Sequence, residues 1–241
     1  MDVAPALGTP DGWRLDEVTR AGRENLDAEH VARYDDKEDA GAADEVDLLA
    51  QWGLRAESTV VDLGAGTGQF TLAVAPVCGR AVAVDVSPVM VARLRAKLAA
   101  AGSSNVEVVH SGFLTYEHTG APADVVYSRW ALHHLPDFWK VAALRRMRTI
   151  LRPGGVLRLS DIVFGFGPDE AEQRIEAWRT SVPVDAGEGE WRRADIDEHL
   201  RDEHSTFTWL LEPMIERAGF RIERADQSPD GILAAYIARA V

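Results

Sequence analysis

The chain has 241 residues, enough to bury a sizeable core in one large domain or a domain with additions. Its composition, 46% hydrophobic and 27% charged, is that of a globular protein, and a formal net charge of −13 argues against a nucleic-acid partner, which normally meets a basic face. The single cysteine, Cys78, excludes an intrachain disulfide and suits a reducing, cytoplasmic setting; no leader pattern opens the chain and no apolar run approaches the ~20 residues of a membrane helix, which predicts no membrane partner.

Residues 1–12 are rich in Pro and Gly and read as an arm or surface strap. Trp13 to Ala32 read as one or two short helices, and Tyr34-Asp35-Asp36-Lys37 reads either as a polar loop or as part of a flap over a ligand. Asp44 to Leu54 is predicted helical, with Val46, Leu49 and Ala50 on one face and Gly53 as its C-cap. Thr59 to Leu63 is a buried strand carrying an acid, Asp62; Gly64, Gly66 and Gly68 follow at alternate positions, where the missing Cβ permits a tight turn and a close approach to a ligand. Gln69 to Ala75 then read as a helix. Arg80 to Asp85 is a second buried strand, and Asp85 lies 21 positions after Gly64, near the spacing at which a carboxylate reaches ribose hydroxyls. Ser87 and Pro88 open a helix whose Met90, Leu94 and Leu98 recur every four residues.

Asn105 to Val109 is a third strand, followed by His110-Ser111-Gly112-Phe113. Ala123 to Ser128 is a fourth, followed by Arg129-Trp130-Ala131-Leu132-His133-His134-Leu135-Pro136-Asp137. Asp137 opens a helix with Phe138, Val141, Leu144, Met147 and Leu151 apolar; Arg145, Arg146, Arg148 and Arg152 near its end offset the helix dipole. Pro153-Gly154-Gly155 is predicted to turn that helix into a fifth strand ending at Asp161. Residues 162–206 break the alternation. They read as a long insertion with a helix over Glu170 to Ser181, a Gly-rich acidic loop over Val182 to Glu190 and a short polar helix over Asp195 to Glu203, a pattern expected of a lid. Thr208 to Ala218 is a core helix, and Phe220 to Asp226 and Leu233 to Arg239 are two closing strands joined by a short turn, so that one of them runs antiparallel.

The spacing Gly64-x-Gly66-x-Gly68 differs from the G-x-G-x-x-G of dinucleotide-binding dehydrogenases. Preceded by Asp62, it resembles motif I of the class I S-adenosylmethionine (SAM)-dependent methyltransferases. Leu132-His133-His134-Leu135-Pro136 is similar to the post-strand segment of the type 11-like, small-molecule group of that superfamily, and Leu151-Arg152-Pro153-Gly154-Gly155 resembles its Leu-[Arg/Lys]-Pro-Gly-Gly block. The resemblance covers roughly residues 34–161 and implies an α/β fold: a doubly wound, mostly parallel seven-stranded sheet, Rossmann-like, with the ligand at the C-terminal ends of strands one and four. The expected organisation is an N-terminal helical cap over 1–57, a SAM-binding core over 58–161, a lid insertion over 162–206 and the closing helix and strands over 207–241.

SAM is the implied cofactor, held by Tyr34, Asp62, Gly64, Ala65, Gly66, Gly68, Asp85, Val86, Met90, Gly112, Phe113, Ser128 and Arg129. Many relatives carry, after the third strand, an aspartate that receives the adenine amino group; Ser111-Gly112 stands there instead, with Ser111 as a candidate hydrogen-bond partner and Phe113 as a candidate packing surface for adenine. His133 and His134 are the candidate catalytic bases because imidazole titrates near neutrality, although each also suits a bond to backbone carbonyls at the helix start. Arg129, Trp130, His204 and Trp209 are candidates for an acceptor pocket. No Cys/His/Asp cluster shows a metal-ligand spacing, which predicts a metal-independent reaction. The expected activity is methyl transfer to an O, N or C atom of a small molecule by in-line displacement. A SAM-binding subunit without transfer activity and, against the glycine spacing, an NAD-dependent oxidoreductase are the competing readings.

Overall fold

The computed structural model describes residues 12–22, 24–32, 41–185 and 191–241. Parallel pairing joins strands β1 (Thr59–Leu63), β2 (Arg80–Asp85), β3 (Val106–His110), β4 (Ala123–Arg129) and β5 (Leu151–Phe164). A two-residue β6 (Thr206–Phe207) pairs with the end of β5, and β7 (Phe220–Gln227) and β8 (Leu233–Ala240) complete one edge. The order across the sheet is β3-β2-β1-β4-β5-β8-β7, and β8 runs antiparallel to both of its neighbours. The expected mostly parallel, doubly wound sheet is therefore present.

Alternation along the strands decides which helices cover which face. In β1, Val60 packs with Leu49 of α2 (Ala42–Trp52) and with Phe70 and Val74 of α3 (Gln69–Val74), on a face that also takes Ala81, Val125 and Ile237. Val61 and Leu63 point the other way, toward Leu144 and Met147 of α5 (Asp137–Ile150) and toward Leu211 and Ile215 of α8 (Thr208–Arg217). Two buried faces explain why these strands read as nearly continuous apolar runs. Between the strands, α4 (Pro88–Ala101) is capped by Ser87, whose Oγ accepts from the Met90 amide at 3.2 Å. Arg158 of β5 is buried and forks onto Glu45 of α2 at 2.6 and 2.7 Å, pinning that helix to the sheet.

Two expectations are corrected. Pro153-Gly154-Gly155 does not turn a helix into a strand. α5 ends at Ile150, and β5 begins at once with Leu151 opposite Ala123; the pairing resumes at Val156 opposite Val125, so residues 152–155 bulge from one continuous strand. Gly154, at φ 73°, supplies the left-handed residue of that bulge. The insertion also ends in a strand: Thr206 and Phe207 pair with Val163 and Phe164 and tie its C-terminal side back to the sheet. Trp13 to Ala32 form two single-turn 3-10 segments and one short helix, α1 (Ala28–Ala32).

The insertion carries α6 (Ala171–Ser181) and α7 (Arg193–Asp202). They pack through Ile175, Trp178 and Leu200 against Ile162, Phe164, Phe166 and Ile232, a small apolar cluster separate from the main core. No residue of α6 is buried. Among the described residues, no helix is long and apolar enough to cross a membrane.

The left-handed glycines are not equivalent. Gly68 has φ 85°, and a Cβ there would lie 2.0 Å from Leu94 Cδ1, whereas Gly102, at φ 65°, has open space around it. Gly102→Ala should cost only the left-handed strain of about 1 kcal/mol, and Gly68→Ala should cost about 1–3 kcal/mol more because buried Leu94 must repack. Urea denaturation of the two variants checks this; equal losses would mean that Leu94 moves freely.

Candidate functional site

The strand order reverses between β1 and β4, and cavities open there, past the C-terminal strand ends, as expected of a switch point in an open α/β sheet. A cavity of about 80 Å³ is lined by Gly64, Gly66, Asp85, Val86, Met90, Gly112, Phe113 and Arg129. A smaller one of about 60 Å³, on the other side of the glycine loop, takes Asp62 and Ala65 together with Gly64, Gly66 and Arg129. Ten of the thirteen expected cofactor contacts thus converge. Gly68 lines neither cavity, because it packs on Leu94; Ser128 is fully buried in β4 and lines neither; Tyr34 lies outside the described residues.

Asp85 organises this side. One carboxylate oxygen accepts from the Gly66 amide and the other from the Ser87 amide, each at 2.8 Å. The acid at the end of β2 therefore closes the glycine loop of β1 onto the start of α4, and it keeps spare lone pairs toward the cavity. Burial pushes its carboxyl above the ordinary range, against the pull of the two amides. Asp62 is buried beside it and accepts from Thr71 Oγ1 at 2.6 Å; burial, together with the nearby Asp85 charge, lifts its carboxyl to about 7 despite that bond. A Cβ on Gly66 would meet nothing within 4 Å, while one on Gly64 would come within 2.4 Å of Ala131 Cβ. The space a ligand needs is at Gly66.

Glu17, from the N-terminal segment, is a site residue that the sequence did not reveal. Its carboxylate accepts from the Leu114 amide at 3.1 Å and from Thr115 Oγ1 at 3.3 Å, and it lines the 80 Å³ cavity. A Cβ at Gly112 would lie 2.4 Å from that carboxylate, so the acid occupies the space a side chain at 112 would fill. Burial raises its pKa to about 6. Ser111 lines the same cavity, with its hydroxyl 3.0 Å from Thr115 Oγ1. Asn25 also belongs here; its carbonyl accepts from Ser87 Oγ at 2.5 Å.

A larger cavity of about 330 Å³ adjoins the first and shares Asn25, Trp130 and His134 with it. Its walls are mainly apolar: Trp130, Ile162, Trp178, Val182, Trp191, Ile196, Ile232 and Leu233. Most of the insertion's contribution comes from α6, α7 and their flanks. Trp130 stands at the junction with φ 50°, the one non-glycine residue with positive φ among the described residues, and the Arg129 guanidinium lies 4.0 Å over its ring. Such a bulky residue in the left-handed region stores strain where the cavities meet. Of the other expected acceptor-pocket residues, His204 lines none of these cavities and donates its amide to the His133 carbonyl, and Trp209 stacks on Phe207 and is half exposed.

His133 and His134 follow β4 in a single 3-10 turn, and both line the large cavity. His133 is buried between two acids: Nδ1 lies 2.5 Å from Asp161 Oδ1 and Nε2 lies 3.2 Å from Glu203 Oε2. Burial alone would lower its pKa, but Asp161 and Glu203 outweigh it and the net shift is upward. For His134, burial and the neighbouring His133 charge lower the pKa to about 3, so its ring is neutral, and its Nδ1 is buried with no hydrogen-bond partner among the described residues. Glu203 is pulled down to about 2: burial opposes, but the His199 bond and the charge of His133 prevail. Asp161, His199 and Glu203 lie 28, 66 and 70 positions beyond His133, too far apart to show in a local motif.

Residues 60–155 match a family described as a methyltransferase domain. The chain is 30% identical over 112 residues to a demethylmenaquinone methyltransferase of Shouchella clausii, a match covering 45% of this chain and 47% of that one. It is 34% identical over 136 residues to a carboxy-S-adenosyl-L-methionine synthase of Chromohalobacter salexigens, covering 54% and 48%. These matches span about half the length of each relative. Among solved structures, a SAM-dependent methyltransferase from Aquifex aeolicus superposes with a TM-score of 0.62 at 19% identity over 89% of this chain and 99% of that one, a likeness of fold.

The buried Asp62 gives a pH signature. The folded chain keeps its proton up to about 7, whereas an unfolded aspartate releases it near 3.8, so the folded state binds more protons across that window and loses stability as pH rises through it. Asp62→Asn should remove this component, worth at most ~4 kcal/mol between the two ends. Unfolding free energies of both proteins at pH 4 and pH 8 test it; parallel slopes would show that Asp62 is ionised in the fold.

Proposed function

We propose that this chain, which carries a class I SAM-dependent methyltransferase domain, transfers a methyl group to a small, largely apolar acceptor held in the 330 Å³ cavity. The observation that carries the reading is the junction of the two cavities at Trp130 and His134, which sets an acceptor chamber beside the glycine loop. SAM supplies a methyl group already activated on a sulfonium. The chain's own task is to bind, align the acceptor and exclude water.

On this reading Asp85 receives the ribose hydroxyls with its spare lone pairs, Gly66 lets the backbone approach the ligand, and Met90 and Phe113 flank the adenine. Glu17 takes the part of the aspartate missing at position 112 and accepts from the adenine amino group. The N-terminal segment then becomes part of the cofactor site. The three tryptophans of the larger cavity suit an aromatic or polycyclic acceptor. Neutral His134 lines the junction beside the acceptor. His133, held between two acids, orients that turn and is not a free base. The relative named as a carboxy-SAM synthase supports a second reading, chemistry on bound SAM other than methyl transfer.

Calorimetry with SAM and product analysis with methyl-labelled SAM and a panel of phenols, quinols and aromatic amines test the proposal. The expected result is labelled methyl on one acceptor class; SAM binding without transfer to any of them favours the second reading. Glu17→Ala and Asp85→Ala should each weaken SAM binding by about 1.5–3 kcal/mol, the range for hydrogen bonds to a charged group. Unchanged affinity in a folded Glu17→Ala protein would remove Glu17 from the site.

A further inference from the structure

We infer that His133, His134 and Glu203 form a binding site for one divalent first-row transition-metal ion of the zinc type, with its open position facing the larger cavity and taking an oxygen atom of the acceptor. The site itself stands on the side-chain geometry alone; the acceptor's part in it rests on the methyl-transfer reading.

One ligand atom from each of the three side chains lies within 4.8 Å of the others. His133 Nε2 stands 3.2 Å from Glu203 Oε2, and His134 Nδ1 stands 3.9 Å from Glu203 Oε1. Donors about 2 Å from a tetrahedral zinc ion lie about 3.3 Å apart, so these separations need only small movements. Two imidazoles and a carboxylate are the donor set of many three-ligand zinc sites, in which the fourth position is left for water or substrate.

The surroundings orient the donors as a metal site requires. His133 Nδ1 is engaged by Asp161, whose carboxylate also accepts from the His133 and Ile162 amides at 3.0 and 2.8 Å. This fixes the imidazole and leaves Nε2 directed at Glu203, the arrangement of a carboxylate behind a metal-bound histidine. His199 Nδ1 meets Glu203 Oε2, while its Nε2 lies 2.8 Å from Ser205 Oγ, so the glutamate is held from behind as well. His134 Nδ1 is a buried polar atom with no hydrogen-bond partner among the described residues, an expensive state that a metal ion would relieve. The cavity favours a cation: Asp195, Glu198, Glu203 and Asp230 line it, and among the described residues no lysine or arginine does. Spacing along the chain conceals the set, because Glu203 comes 69 positions after His134, at the far end of α7.

The test uses the full chain, stripped with a chelator and titrated with Co²⁺ and then Zn²⁺ against a chromogenic competitor. One equivalent of Co²⁺ should bind with the visible absorption of a low-coordinate nitrogen and oxygen site, and Zn²⁺ should displace it. Glu203→Gln and His134→Ala should each weaken binding at least ~100-fold, and Asp161→Asn by about 10–100-fold. SAM affinity of the Glu203→Gln protein should stay at the wild-type value, which reports an intact fold and an intact cofactor side. No stoichiometric binding by the wild-type chain overturns the inference, as does binding that survives in both folded ligand variants. Metal binding without methyl transfer leaves the site standing and removes its assigned acceptor role; transfer at full rate by a chain that binds no metal overturns the site and leaves the methyl-transfer reading standing.

Discussion

Two backbone hydrogen bonds to one buried carboxylate hold the cofactor side of this protein together. Asp85 ends β2, yet its oxygens reach the amide of Gly66, in the loop after β1, and that of Ser87, at the start of α4. In the loop between β1 and α3 the Gly64 and Ala65 amides reach the Val84 carbonyl and the Gly68 amide reaches the Ala65 carbonyl, while the Gly66 amide goes to the carboxylate; the first amides of a helix have no partner within it. One acid answers both needs. The cost is a second buried carboxylate, Asp62, close enough to be felt, and both are pushed toward their neutral forms.

The far side of the site is built on a different principle. Asp161, His133, Glu203 and His199 form a line of alternating acids and imidazoles drawn from β5, the turn after β4, the residue after α7 and α7 itself. Buried charges persist only when paired, and here each has a partner on either side or a backbone donor behind it. The line crosses from the sheet into the insertion. It therefore does what the small apolar cluster around Phe164 and Trp178 cannot do alone, which is to hold α7 in one orientation over the cavity. An insertion with no buried residue in α6 gains its placement from polar contacts at its base and from the short β6 pairing.

The two sides meet at Trp130. Its left-handed backbone follows directly from β4, with its amide held by the Ser160 carbonyl at 2.9 Å. The indole is thereby turned between the cavities, under the Arg129 guanidinium. A chain that relaxed this residue would swing His133 and His134, three and four positions on, out of register with Asp161 and Glu203.

Local pattern determined the elements that repeat. The apolar runs of β1, β2 and β4, the Ser87 cap, the glycine loop and Asp85 at its distance from Gly64 are all properties of short stretches, in which neighbours along the chain are neighbours in space. They were sufficient for the parallel core strands; the order reversal and the position of the cofactor cavity followed only from the resemblance to the methyltransferase motifs. Tertiary structure alone decided what depends on contacts between distant segments. Glu17 meets Gly112 across 95 positions because the N-terminal segment folds over the ends of the strands, and nothing in the local sequence of either residue marks the other. Asp161 and Glu203 reach His133 through a strand pairing and a helix packing that no spacing encodes. Ser128 and Gly68 show the converse: each carries the right residue in the right motif, yet the packing of β4 and of Leu94 turns it away from the cavities. Residue type and spacing specify which chemistry is available; only the packed fold specifies which side chains share a volume, because that depends on every intervening element at once.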